Sequence, residues 1–100
     1  MDFTGKQIIV TGGASGIGRA TVLAFCEAGG SVFFGDLNAD GAAETVAAAS
    51  DLKGDATFHR LDVTDEAAID AFAEAFHKTH EQADVVVNVA GWDISQPFMD

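Results

Sequence analysis

Thr11-Gly12-Gly13-Ala14-Ser15-Gly16-Ile17-Gly18 is the stretch of this chain whose residue types and spacing point most directly to chemistry. Glycines there let the backbone turn sharply and admit a bulky anion with no Cβ in the way. The helix that follows offers unpaired N–H groups and the positive end of its dipole. A pyrophosphate is the anion such a turn suits when it follows a buried strand and opens a helix. The spacing is G-x-x-x-G-x-G, not the commoner G-x-G-x-x-G, and the Lys-Ser/Thr pair of a nucleoside-triphosphate loop is missing. Asp36, roughly 20 residues beyond the glycines, stands where an acid accepts hydrogen bonds from adenosine ribose hydroxyls. A carboxylate at that point repels the 2′-phosphate of NADP, so NAD is the dinucleotide expected. The plainer alternative is an Asp that caps the next helix.

These residues need elements to hold them. Gln7-Ile8-Ile9-Val10-Thr11 is an apolar run closed by Gly12-Gly13 and reads as a buried strand. A helical stretch from Gly16 to about Ala28 is stopped by Gly29-Gly30, and Ser31-Val32-Phe33-Phe34-Gly35 is a second strand ending at Asp36. A second helix is expected from about Asp40 to Ala49, with Ala43, Val46 and Ala47 on its apolar side. Ala56 to Leu61 alternates as a third strand ending at Asp62-Val63. Thr64 can then cap a third helix with Ile69, Phe72 and Phe76 inward and Asp70, Glu74 and Lys78 outward. Asp84-Val85-Val86-Val87-Asn88-Val89-Ala90 is a fourth strand, whose Val run meets nothing polar until Asn88, and it is expected to be buried on both faces.

Strand and helix alternating in this way imply an α/β fold, a Rossmann-like doubly wound parallel sheet. If the first turn is a dinucleotide site, the strand order is 3-2-1-4, with two helices on one face and the third on the other. Strand 4 then lies at an open edge while reading as a central strand, so these four strands are expected to be the first of a longer sheet. Residues 1–100 are accordingly expected to be the N-terminal, dinucleotide-binding part of one domain that continues beyond residue 100.

Composition narrows the partners. The 100 residues are 48% hydrophobic, which excludes a disordered tail, and five Lys+Arg against 16 Asp+Glu give a net charge of -11. That charge repels phosphate backbones and anionic lipid, so neither nucleic acid nor membrane is expected as a partner. One cysteine cannot form an internal disulfide. Met1 to Lys6 lacks the basic start and apolar core of a signal peptide, so the expected location is cytoplasmic.

In order and spacing, Thr11-Gly12-x-x-x-Gly16-x-Gly18, Asp36, Asp62-Val63 and Asn88-Val89-Ala90-Gly91 resemble the short-chain dehydrogenase/reductases across essentially the whole chain. The resemblance implies that Gly12, Ser15, Gly16, Ile17 and Gly18 meet the cofactor phosphates and ribose. It implies that Asp62 accepts from the adenine amino group with Val63 beside it, and that Asn88, Ala90 and Gly91 line a cofactor ribose at the end of strand 4. The second position of the usual Asn-Asn-Ala-Gly is Val89, which removes one polar side chain. Without the motif, Asp62 reads as a surface acid and Asn88 as a strand-end partner for backbone groups.

Family members interconvert a secondary alcohol and its ketone, using a Tyr as general acid/base, a Lys four residues on, and a Ser. This chain has no Tyr, so no catalytic residue is assigned in it. A dimer or tetramer is implied by the resemblance only. The Ala90-Gly91-Trp92-Asp93 run resembles relatives that oxidise hydroxyacyl-CoA thioesters, and Trp92 either walls an apolar substrate or packs beneath its loop. Two rival functions remain at this stage: a non-catalytic nucleotide sensor, and an S-adenosylmethionine-dependent methyltransferase, whose glycine turn is usually tighter. No metal site is expected. His77 and His80 read as solvated residues at a helix end, the Asp62–Asp70 acids lack a calcium loop, and Cys26 reads as a packing residue.

Overall fold

A computed structural model describes residues 2–14, 16–80 and 82–89. The elements run β1 (Gln7–Thr11), α1 (Gly16–Glu27), β2 (Ser31–Asp36), α2 (Ala39–Ala49), β3 (Asp55–Arg60), α3 (Glu66–Thr79) and β4 (Val85–Asn88). All four strands are parallel, in the order β3-β2-β1-β4. This is the doubly wound arrangement that the alternation of elements implies.

Successive strand residues point to opposite faces, and the apolar runs exploit both. Ile8, Val10, Val32 and Phe34 pack with Val22 and Cys26 of α1 and Ala42 and Ala49 of α2. Ile9 and Phe33 face the other way, onto Leu61 and onto Ile69, Phe72 and Phe76 of α3. The Phe33 ring lies 4.9 Å from that of Phe72 and 5.6 Å from that of Phe76. Complete burial of a Phe side chain contributes about 1.5–3 kcal/mol, so Phe72 and Phe76 are the main anchors of α3. Helix α1 stops where two glycines allow it to. Gly29, at φ 94°, donates to the Cys26 carbonyl and Gly30 to that of Phe25, a paired closure that satisfies the last carbonyls.

Several elements differ from the sequence pattern. Helix α2 turns Gly41, Ala42, Thr45 and Ala49 inward, and leaves Ala43, Val46 and Ala47 exposed. In so alanine-rich a helix apolar contrast is weak, and polar contacts set the rotation. Asn38 caps the helix by accepting from the Gly41 N–H, and the buried Thr45 hydroxyl donates to the Gly13 carbonyl. Asp65, not Thr64, caps α3, accepting from the N–H groups of Ala67 and Ala68, because the Thr64 hydroxyl is already committed to Asp62. Strand β3 begins at Asp55, one residue early. All four residues of β4 are half-buried, not enclosed on both faces, since among the described residues β1 is the strand that pairs with it. His80 is not a solvated side chain either. It is half-buried and stacks on Phe76, with ring centroids 4.6 Å apart.

Candidate dinucleotide-binding site

Parallel strands in register bring their carboxyl ends to one side of the sheet. Thr11 pairs with Gly35 and with Asn88, and Asp36 pairs with Arg60, which leads into Leu61-Asp62. Helices α1 and α2 cover one face and α3 the other, so the chain changes face between β1 and β4. A crevice outside the strand ends at such a switch point is where open α/β sheets bind ligands.

The glycine turn occupies that point. Gly12, at φ 89°, adopts a conformation that side chains resist, and its N–H donates to the Gly35 carbonyl at 2.6 Å. Gly18 lies directly against it: a Cβ on Gly18 would sit 1.6 Å from the Gly12 carbonyl oxygen. The turn and the first turn of α1 therefore approach more closely than any side chain permits. Ile17 is 77% exposed beside them. Helix α1 has no acidic residue in its first turn, whereas α2 carries Asp40 and α3 carries Glu66 there. The positive end of α1 is thus not neutralised from within its own first turn.

Asp36 closes the adjacent side. Its Oδ2 accepts from the Ala14 N–H at 3.0 Å and its Oδ1 from the Asn38 N–H at 3.0 Å. It does not cap α2; the Asn38 side chain does. Asp62, half-buried after β3, accepts at Oδ1 from both the Thr64 hydroxyl (2.6 Å) and the Thr64 N–H (2.9 Å). The hydroxyl bond first, and then the backbone bond, hold its carboxyl below the ordinary value of 3.8. Val63 packs against the α3-side core. Asn88 accepts at Oδ1 from the hydroxyl of the fully buried Thr11 at 2.6 Å, which fixes its side chain at the end of β4. Gly12, Gly16, Ile17, Gly18, Asp36, Asp62, Val63 and Asn88 thus gather at one end of the sheet; Ser15, Ala90, Gly91 and Trp92 lie outside the described residues.

Three further residues belong to this region. Leu37, 53% exposed, directly follows Asp36. Arg19 and Thr45 bridge α1, α2 and the turn: Arg19 Nη2 donates to the Ala14 carbonyl at 2.5 Å and to that of Gly41 at 3.1 Å, while its Nε donates to the Thr45 hydroxyl at 2.9 Å. The available sequence signal was the rarity of cations, Arg19 being one of five basic residues and lying just past the glycines. Thr45 had no such signal.

Close backbone approach, a helix start with no acid in its first turn and a carboxylate fixed by two backbone N–H groups form a set that fits a dinucleotide. Residues 6–100 match the profile of the short chain dehydrogenases. The chain belongs to that family. It is 37% identical over 94 residues to the 7alpha-hydroxysteroid dehydrogenase of Escherichia coli K12, covering 94% of this chain and 37% of that relative. Among solved structures, an NADH-dependent reductase complexed with NAD superposes with a TM-score of 0.76 at 31% identity, covering 86% of this chain and 36% of that one. The RhlG complex with NADP from Pseudomonas aeruginosa does so with a TM-score of 0.81 at 32% identity, covering 90% and 36%. This chain spans between 17% and 37% of the length of the curated relatives that it matches. Membership of the short chain dehydrogenases displaces the methyltransferase reading. Among the described residues no helix is long and apolar enough to cross a membrane.

Proposed function

We propose that this chain binds NAD as the dinucleotide-binding part of a cytoplasmic, oligomeric oxidoreductase that interconverts a secondary alcohol and its ketone. The observation that carries the cofactor choice is Asp36. Its two carboxylate oxygens each accept one backbone N–H, from Ala14 and from Asn38. An ionised carboxylate has about four acceptor sites, so about two remain for the vicinal hydroxyls of an adenosine ribose. The same fixed negative charge opposes a 2′-phosphate. Gly12, Ser15, Gly16, Ile17 and Gly18 would hold the pyrophosphate and adjoining ribose, Asp62 and Val63 the adenine, and Asn88, Ala90 and Gly91 the other ribose. Bound there, the nicotinamide supplies a two-electron hydride acceptor or donor. The residues of this chain bind and orient it.

The Tyr that serves the family as general acid/base is not among these 100 residues, so no catalytic residue is assigned in them. For the substrate, the Ala90-Gly91-Trp92-Asp93 run favours a hydroxyacyl-CoA thioester, with Trp92 as an apolar wall. The test is Asp36→Ser in the protein that carries this chain, with both dinucleotides titrated. Two charge-assisted acceptor interactions are lost, together worth about 3–6 kcal/mol, so NAD affinity should fall by roughly 10²–10⁴-fold and discrimination against NADP should relax. An unchanged NAD-to-NADP ratio would remove the role of Asp36. Screening secondary alcohols, hydroxyacyl-CoA thioesters included, with NAD then separates an enzyme from a sensor.

A further inference from the structure

Helix α2 is the element that a dinucleotide site has least reason to involve, yet its polar contacts run to the glycine turn. Thr45 is fully buried. Its hydroxyl donates to the Gly13 carbonyl at 2.8 Å and accepts from Arg19 Nε at 2.9 Å. Arg19 in turn holds the next carbonyl, that of Ala14, and reaches back to Gly41 on α2. Gly41 has no room for a side chain, because its Cβ would lie 2.7 Å from the Ala14 carbonyl oxygen. The contacts close into a ring: Asp36 to the Ala14 N–H, the Ala14 carbonyl to Arg19, Arg19 to Gly41, the Gly41 N–H to Asn38, and the Asn38 N–H back to Asp36. Thr45 joins the ring through Arg19 Nε, with the Gly13 carbonyl as the nearer acceptor of its hydroxyl and that of Gly41, at 3.2 Å, the farther.

We propose that Arg19 and Thr45 are positioning residues for cofactor binding, which clamp the Gly13 and Ala14 carbonyls against α2 and so fix the turn toward the pyrophosphate. The ring meets Asp36 through the Ala14 N–H, but the second bond of that carboxylate, to the Asn38 N–H two residues on, is local and does not run through the turn, so the ribose side keeps its own anchor when the clamp is loosened. The inference rests on the dinucleotide reading above. Neither residue touches the ligand; each acts through a backbone carbonyl.

The test uses the protein that carries this chain, with Thr45→Val, Thr45→Ser and Arg19→Lys. Binding of NAD, ADP-ribose and adenosine is titrated for each, and amide exchange of Gly12 to Ala14 is followed without ligand. Valine keeps the shape of threonine but leaves the Gly13 carbonyl and Arg19 Nε unpaired in a buried place, so ADP-ribose and NAD should bind about tenfold more weakly. Adenosine, which carries no phosphate, should bind as before, and the Ala14 amide should exchange faster. Thr45→Ser restores the hydroxyl and should restore affinity. Arg19→Lys keeps the charge but loses the forked contact, so it should repeat the selective loss, and it carries the test if the valine variant does not fold. Unchanged ADP-ribose binding in both variants, or equal loss of adenosine and ADP-ribose, overturns the clamp. If the unsubstituted protein binds none of the probes, the dinucleotide reading fails instead, and the amide exchange alone decides whether α2 holds the turn.

Discussion

Replacing Gly18 with Ala separates the two demands that the glycine turn meets. A new Cβ would stand 1.6 Å from the Gly12 carbonyl oxygen. An ordinary carbon-to-carbonyl-oxygen contact is about 3.3 Å or more, so the turn and α1 must part by about 1.7 Å. Overpacking of this kind costs about 1–3 kcal/mol, and an Ala in a helix recovers up to about 1 kcal/mol of propensity. The net loss of stability by those two figures is about 0–3 kcal/mol, toward the upper end because the atom that must give way is a backbone carbonyl. The loss of affinity should be far larger. A 1 Å misplacement of a positioned group can cost about 100-fold, and here the displaced groups are the cradle itself.

Gly5→Ala is the control. Gly5 has φ 81° and open space around its Cβ position, so substitution costs only the left-handed backbone strain, about 1–2 kcal/mol. Denaturant unfolding gives the stability lost by each variant, and calorimetric titration with NAD, made where both are folded, separates them: Gly18→Ala weakened about 100-fold, Gly5→Ala unchanged. If Gly18→Ala bound NAD within about twofold of the unsubstituted protein, the close approach of Gly12 and Gly18 would have no part in holding the cofactor.

Three further outcomes follow from the packing and the titrating groups. Ala42→Leu, on the buried face of α2, should cost about 1–3 kcal/mol, whereas Val46→Ser on the exposed face should stay within about 0.5 kcal/mol; denaturant midpoints showing the reverse would restore the face read from sequence. Asp62 has its pKa depressed below 3.8, so its contribution to stability is present above that value and is lost as pH falls through the lower folded value. Thr64→Val should bring the carboxyl back up toward 3.8, and a carboxyl-carbon titration in which nothing moves would dismiss the hydroxyl bond. The Cys26 thiol, whose pKa is pushed up to about 11 by burial and then by Asp55, should resist alkylation at neutral pH until the fold opens. Rapid stoichiometric labelling of the native protein would show that α1 does not bury it.

The strands were legible because their chemistry is local. Ile8 to Val10, Val32 to Phe34 and the Val85 to Val87 run declare themselves by β-branched and aromatic content, and the Gly29-Gly30 stop is a backbone requirement written in the sequence. Gly12, Gly18 and Asp36 were legible because a turn, a close approach and a fixed charge each need one residue type. What could not be read was relative rotation. In α2 the choice between Ala42 and Ala43 as the inward residue carries almost no hydrophobic signal. It is decided by Thr45 reaching Gly13 and Asn38 reaching Gly41, the first of these a contact across 32 positions of chain. Thr64 and Asp65 are both good caps by type, and only the proximity of Asp62 decides between them. The role of Arg19 is hidden in the sequence for the same reason, since Thr45 and Gly41 lie on another helix.

Charge sets the remaining constraint on how such a site can work. The chain carries a net charge of -11 and a dinucleotide is an anion, so long-range repulsion opposes its binding. Arg19 does little to reverse this. Its guanidinium is directed at two carbonyls and a hydroxyl, and lies 3.6 Å from the exposed Glu44 carboxylate. On the proposed dinucleotide reading, what favours the phosphates is short-ranged: N–H groups at the start of α1, effective only within about its first turn and only when the backbone holds them at the right place. A site that gains so little from net charge depends on position, and position here is supplied by glycines that allow the approach and by α2 contacts that keep it. A basic patch tolerates an ångström of movement in any one residue; a turn of backbone amides does not. On this view the buried Thr45 hydroxyl and the forked Arg19 contact do by position what a chain with five Lys+Arg against 16 Asp+Glu cannot do by net charge.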